Sequence, residues 1–265
     1  MIKNILSIGC ALLLMSTFAK SEQTTNQGQS VSVNKIGWHE LSDFGKSTRA
    51  TQLLTTKRKQ DVLEAHDIYL FLYSQGDEYS KELAPFMLGS LYAGLEDFGL
   101  ERDYQQAIKW LTISATAGHP RSQYSLGLVY QNGENGQSDF EKAEYWLLKA
   151  ANQGVTPAYH RLGLLYGTVK QPPDYERAFN WTKLAAIEGS PEAQYNFAVL
   201  NALGNGNVKN KEAAYYWALV AQINIHKSKI SKEEVDALVA DIRRGLTDEE
   251  RLYVEKKIAQ RPKSK

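Results

Sequence analysis

The chain has 265 residues, 43% of them hydrophobic, and Lys+Arg outnumber Asp+Glu by only 31 to 30. No basic surplus is available for nucleic acid or an anionic membrane surface, both of which select positive patches. Cys10 is the only cysteine and falls in the leader described next, so the mature protein is expected to need neither a disulfide framework nor a cysteine nucleophile.

The first element is the apolar run Ile5 to Phe18, preceded by Lys3. It is shorter than the ~20 residues that span a bilayer core, and small residues follow it. That pattern predicts a secretory signal peptide over residues 1–19, cut after Ala19 or after Ser21. A lipid anchor on Cys10 is disfavoured because most of the apolar run lies after the cysteine. Cleavage also removes Lys3, bringing Lys+Arg to 30 against 30 acidic residues. The mature protein is therefore expected to be near-neutral, periplasmic or secreted, and without stable membrane insertion. Residues 20–37, rich in Ser, Gln, Thr and Asn, bury too little surface to offset their ordering entropy and are predicted to be a flexible linker.

Internal repetition dominates the rest. Trp110, Trp146, Trp181 and Trp217 follow one another at 36, 35 and 36 residues, each with alanine three positions earlier: Ala107, Ala143, Ala178 and Ala214. Gly118, Gly154 and Gly189 stand eight positions after the first three. A second column reads Leu88-Gly89, Leu126-Gly127, Leu162-Gly163 and Phe197-Ala198, each preceded at four positions by Ala84, Ser122, Ala158 or Ala193. Tyr92, Tyr130 and Tyr166 close that column, with Asn201 in the last copy.

Each copy is predicted to hold two helices. The first runs from the small residue to the tyrosine, with apolar or small side chains at helical spacing. Its mid-helix glycine implies a backbone approaching closely. The second starts near Asp103, Asp139 or Asp174, which cap free amides, and stops at the glycine. Pro120, Pro157 and Pro191 then open the next copy. The fourth copy lacks both glycine and proline, so its second helix is expected to end differently. Asp61, Ala65, Ile68 and Gly76 repeat the second-helix spacing in a degraded earlier copy, whose first helix falls within Trp38 to Thr55.

Stacking such pairs buries stripes that one pair cannot cover. The expected fold is an all-α, right-handed α-solenoid of helix-turn-helix repeats over residues 38–225. About five units are expected, the clearest at 84–119, 120–156, 157–190 and 191–225. Residues 226–265 should form C-terminal capping helices. Ser231-Lys232-Glu233-Glu234 and Thr247-Asp248-Glu249-Glu250 are capping boxes, the first followed by Val235, Leu238, Val239, Ile242 and Leu246 at helical spacing.

These columns resemble the Sel-one-like repeat family of tetratricopeptide-like solenoids, most plainly in Ala193–Ala198 and Lys142–Gly154. Gly204-Asn205-Gly206-Asn207-Val208 looks like that family's glycine-rich link between helices. The resemblance implies adaptor work, often in bacterial envelopes or secretory routes. One secreted branch pairs two cysteines per repeat and has been linked to β-lactam binding. This chain lacks those cysteines, so that activity is not implied.

Signals for chemistry are absent. His39, His66, His119, His160 and His226 form no His-x-x-x-His or His-Glu-x-x-His spacing and are read as loop or surface residues. Gly45-Lys46-Ser47 ends like a phosphate-binding loop, but Glu40 stands where that loop requires glycine. No Gly-x-Ser-x-Gly elbow occurs. Neither a catalytic centre nor a cofactor or metal is expected, and the four tryptophans are read as core. Phe86, Tyr124, His160 and Tyr195 form a packing column of the first helices. Beside it, Met87, Ser125, Arg161 and Asn196 vary, and variation within a repeated motif is where a repeat protein specifies its partner. In related two-helix solenoids the first helices face the concave side. The expected function is a non-catalytic scaffold binding another protein there. The alternative is a module for cell-wall glycan or peptide fragments, which would expose its aromatic side chains.

Overall fold

A computed structural model describes residues 37–98, 100–133 and 138–261. The signal peptide and nearly all of the linker expected before residue 38 lie outside the described residues. Among those described, twelve α-helices and no strand occur.

The helices are α1 (Asp43–Thr55), α2 (Lys59–Gln75), α3 (Glu78–Ala93), α4 (Tyr104–Thr116), α5 (Pro120–Asn132), α6 (Phe140–Asn152), α7 (Thr156–Leu164), α8 (Tyr175–Ile187), α9 (Pro191–Leu203), α10 (Lys211–Ile223), α11 (Lys232–Arg244) and α12 (Asp248–Ala259). They fall into two compact units that divide at Ser138/Asp139. In the first unit α1 to α5 pack consecutively, and α3 also touches α1 and α5. In the second, α6 to α11 pack consecutively and α12 returns onto α10. This is the packing of an all-α solenoid of two-helix repeats with a capping helix pair.

Local chemistry sets the helix boundaries. The Asp103, Asp139 and Asp174 carboxylates accept the amides of Gln106, Lys142 and Arg177, opening α4, α6 and α8. Asn210 does the same for Ala213 at α10. Each cap satisfies one of the free amides of a first turn. Gly118, Gly154 and Gly189 sit at φ of 102°, 78° and 93°, the left-handed region that ends a helix. The fourth copy closes otherwise, with Asn224 at φ −92° leading into a 3-10 turn, Ile225–Lys227.

The two repeated small columns meet at the helix contacts. Ala107, Ala143, Ala178 and Ala214 are at most 1% exposed, and Leu88, Leu126 and Leu162 are wholly buried. Each such leucine contributes about 1.5–3 kcal/mol. The mid-helix glycines have the expected cause: a Cβ on Gly89 would stand 2.9 Å from the Leu111 amide, and one on Gly163 would press on Thr182. Leu111 and Thr182 each follow a repeat tryptophan, so the same close approach recurs in both units.

Several expectations need correction. Helix α3 starts at Glu78, capped by Asp77, about two turns before Ala84, and continues through Pro85. In the degraded copy Asp61 is not a cap; α2 opens at Lys59, and the Asp61 carboxylate accepts from Thr56 Oγ1 and Arg58 Nε. Gly76 has φ −69° and no left-handed role. The tryptophan column is not uniformly core: Trp110 is 7% exposed, but Trp146, Trp181 and Trp217 are only half-buried. An indole reaches past the alanine-lined contact, so its burial depends on whichever neighbour lies beyond.

The capping pair forms as expected. Ser231 and Glu234, then Thr247 and Glu250, complete reciprocal capping boxes. Val235, Ile242 and Val254 are buried, with Ile242 and Val254 packed in one cluster with Ala214, Tyr215 and Ala218 of α10.

Candidate functional site

The four variable positions fall on the first helices and divide by unit. Met87 on α3 and Ser125 on α5 are 2% and 5% exposed, so in the first unit these side chains belong to the packed interior. Arg161 on α7 and Asn196 on α9 are half-buried. Only the second unit therefore presents this column to solvent.

The two helices that carry it are placed by their starts. Pro157 lies in the first turn of α7, and Pro191 opens α9 behind Ser190, whose hydroxyl accepts the Ala193 amide. The register that results brings Asn196 Nδ2 to 3.2 Å from His160 Nε2, tying one first helix to the next. The amide nitrogen can only donate, so Nε2 accepts and the imidazole proton resides on Nδ1.

Burial, reinforced by the Arg161 charge and opposed by Glu192, pushes the His160 imidazole down to about 4. It is neutral at pH 7. On α9, burial pushes the Glu192 carboxyl up, but hydrogen bonds outweigh it and hold the group below its ordinary range. Those donors include the Lys229 amide at 2.9 Å and the Ser228 hydroxyl at 3.3 Å, which pin the segment before α11 to α9.

His66, His119 and His160 are thus structural, not the loop or surface residues expected, whereas His39 and His226 are exposed, as expected. His119 caps α5, accepting the Ser122 amide, and His66 Nε2 lies 2.8 Å from the Tyr92 hydroxyl. Among the described residues no group of three or more His, Cys, Asp or Glu is placed to hold a metal ion. Lys46 lies in α1 and donates to the Leu41 carbonyl at 2.6 Å, a helix-start anchor with no phosphate-loop geometry.

Two repeated devices escape the sequence columns. Gln123 and Gln194 donate to the carbonyls of Ala115 and Ala186, satisfying the C-terminal ends of α4 and α8. Their signal is the Gln that follows the small residue in Ser122-Gln123 and Ala193-Gln194. Two of the closing tyrosines bond backwards to the residue two before the tryptophan position: Tyr92 to His66, and Tyr166 to Glu144, which also pairs with Arg177; for Tyr130 that residue is the apolar Ile108. In the last copy that residue is Phe179, and Asn201 replaces tyrosine and turns to the Phe197 carbonyl.

Aromatic exposure is mixed. Phe86 is 8% exposed and packs on His119, whereas Tyr124, His160 and Tyr195 are half-buried. Among the described residues, no helix is long and apolar enough to cross a membrane.

The Sel1 repeat model matches the chain at residues 83–119, 120–155, 156–190 and 191–221, just over half of its length. No curated protein matches it. Among solved structures, one similar fold is a protective antigen present in uropathogenic Escherichia coli strains, displaying an SLR fold. Its TM-score is 0.57 at 20% identity, over 80% of this chain and 51% of that one. Another is a Sel1 repeat protein from Oxalobacter formigenes, with a TM-score of 0.54 at 21% identity, over 84% of this chain and 74% of that one. The chain spans about half the length of the first of these. At such identities the likeness is one of fold.

Proposed function

This chain belongs to the Sel1 repeat family, whose members are generally protein-interaction scaffolds and typically non-catalytic, and from that premise we propose that it is an exported adaptor. It binds a partner protein through the concave side of its solenoid, on the first helices α7 and α9. The observation that carries this reading is the pairing of Arg161 and Asn196 at one repeat position on consecutive first helices, both half-buried, while the next position, Leu162 and Phe197, is buried. Asn196 is held in place by His160. Arginine presents a planar fork of donors and is enriched at interface hot spots. Export is supported by the short apolar run that ends near Ala19.

The test is capture of partners from an envelope fraction by the wild-type protein and by the Arg161→Ala/Asn196→Ala variant, followed by mass spectrometry. The variant should lose a partner that the wild type retains, while a cooperative melt, lowered only by the lost Asn196–His160 bond, shows that it stays folded. Identical capture by both would overturn the first-helix site. Intact mass of the exported protein should lack the first 19 or 21 residues; a full-length or lipid-bearing mass overturns the export reading.

A further inference from the structure

Beyond the first helices, the second unit contains a cavity of about 510 Å³ between α10 and α12, open on one side. Clefts of this size hold a small ligand or a few side chains of a partner. Its walls include Tyr216 and Trp217 on α10 and Tyr253 and Lys257 on α12. Glu212, in the first turn of α10, and Arg261, just past the end of α12, stand at its rim.

The aromatic rings are held by packing. Trp217 makes T-shaped contacts with Phe197 and Tyr216, at centroid distances of 5.4 Å each. Tyr253 is 49% exposed, a large half-apolar surface left facing solvent. Lys257 Nζ lies 4.3 Å from the centre of its ring. A cation over a ring is drawn to its negative face, which holds this lysine at the cavity. The bond to Tyr253, with Glu212 and Tyr216 adding smaller attractions, pushes the Lys257 ammonium above its ordinary range. Arg261 follows Lys257 by four residues. Among the described residues neither cation has a carboxylate within ion-pair distance, whereas nearby Arg251 pairs with Asp248 at 2.8 Å.

Apolar rings beside two cations that, among the described residues, have no carboxylate at ion-pair distance define the complementary occupant. We propose that this groove binds a peptide segment placing a carboxylate beside an aromatic or aliphatic side chain. The apolar side chain lies among Tyr216, Trp217 and Tyr253, and the carboxylate meets Lys257 and Arg261. Glu212 receives an amide N–H or a cationic side chain of the same segment. A neutral glycan fits less well, because sugars stack on open aromatic faces and here Lys257 covers the Tyr253 ring. The inference shares with the adaptor reading only the premise that this chain binds proteins, and it uses different helices.

The test titrates the full chain with acetyl-Phe-Asp-Phe-amide, acetyl-Phe-Asn-Phe-amide and an N-acetylglucosamine tetramer. Indole N–H resonances are followed, with that of Trp217 assigned through Trp217→Phe. The Asp peptide should move the Trp217 resonance and bind about tenfold more tightly than the Asn peptide at low salt, where charge-assisted bonds count most. The exposed-side variant Lys257→Gln/Arg261→Gln should remove that preference without changing the melt. Absence of binding, equal binding of the two peptides, a preference that survives the double variant, or binding of the glycan alone each overturns the proposal. None of these outcomes touches partner capture through Arg161 and Asn196, so failure here and failure of the adaptor reading are distinguishable.

Discussion

Trp110 in the first unit and Trp146, Trp181 and Trp217 in the second occupy one repeat position yet differ in burial. Trp110 is enclosed, with the edge of Tyr73 from α2 at 5.0 Å and Lys109 Nζ at 5.1 Å from its ring. Trp146 is half-buried, and its aromatic neighbour is the exposed Tyr145 of its own helix. The alanines three residues earlier are buried without exception. The small residues sit where helix axes approach most closely, so any unit that stacks must bury them. The indole extends beyond that contact, and each unit covers it, or leaves it open, with whatever side chain happens to be near. The fold therefore rests on the small columns, and the aromatic column is free to serve surfaces such as the α10–α12 groove.

The sharpest way to break this comparison is to truncate the ring in both units. Trp110→Ala should cost about 3–5 kcal/mol, the range for a large buried aromatic. Trp146→Ala should cost less, about 2–3 kcal/mol, because part of its ring already faces water and adds nothing to the transfer term. Denaturant unfolding of the two variants decides it, and equal losses would mean that exposure of the ring is not what separates the units.

The next difference is in pH response. The first-helix aromatic column holds Phe86 in the first unit and His160 in the second. Unfolded, His160 protonates near 6.5; folded, near 4. Above pH 6.5 it is neutral in both states and contributes no pH dependence. As pH falls from 6.5 toward 4 the unfolded state binds the proton first, and stability is lost over that window. His160→Gln should flatten this part of the stability curve. Melting temperatures from pH 7 to pH 4 would show it, and an unaltered slope in His160→Gln would remove His160 as its source.

The smallest expected effect lies at the helix starts. Helix α12 begins with a complete capping box, whereas α2 opens at Lys59 behind Arg58, which supplies no side-chain cap. Thr247→Ala should cost about 1 kcal/mol, and hydrogen exchange should place the loss in the first turn of α12. Exchange that is no faster there would show that packing of Val254 alone holds the helix.

What is legible in the amino-acid sequence is whatever depends on residues a few positions apart. Asp103, Asp139 and Asp174 cap amides three residues on, the glycines at 118, 154 and 189 end helices, and both capping boxes close within four residues. The Ala, Leu and Gly columns are legible too, because stacking admits no larger side chain at those contacts. The candidate site was half visible in this sense. The column of Met87, Ser125, Arg161 and Asn196 can be read from spacing, but not that its first two members are buried. Tertiary structure alone decides which indoles are covered, that His160 meets Asn196 thirty-six positions away, and that Tyr216 and Tyr253 come together around one cavity. The reason is physical: a cap is a bond within one turn of helix, whereas burial and cross-repeat bonds depend on the distance between backbones that only the stacked array brings into register.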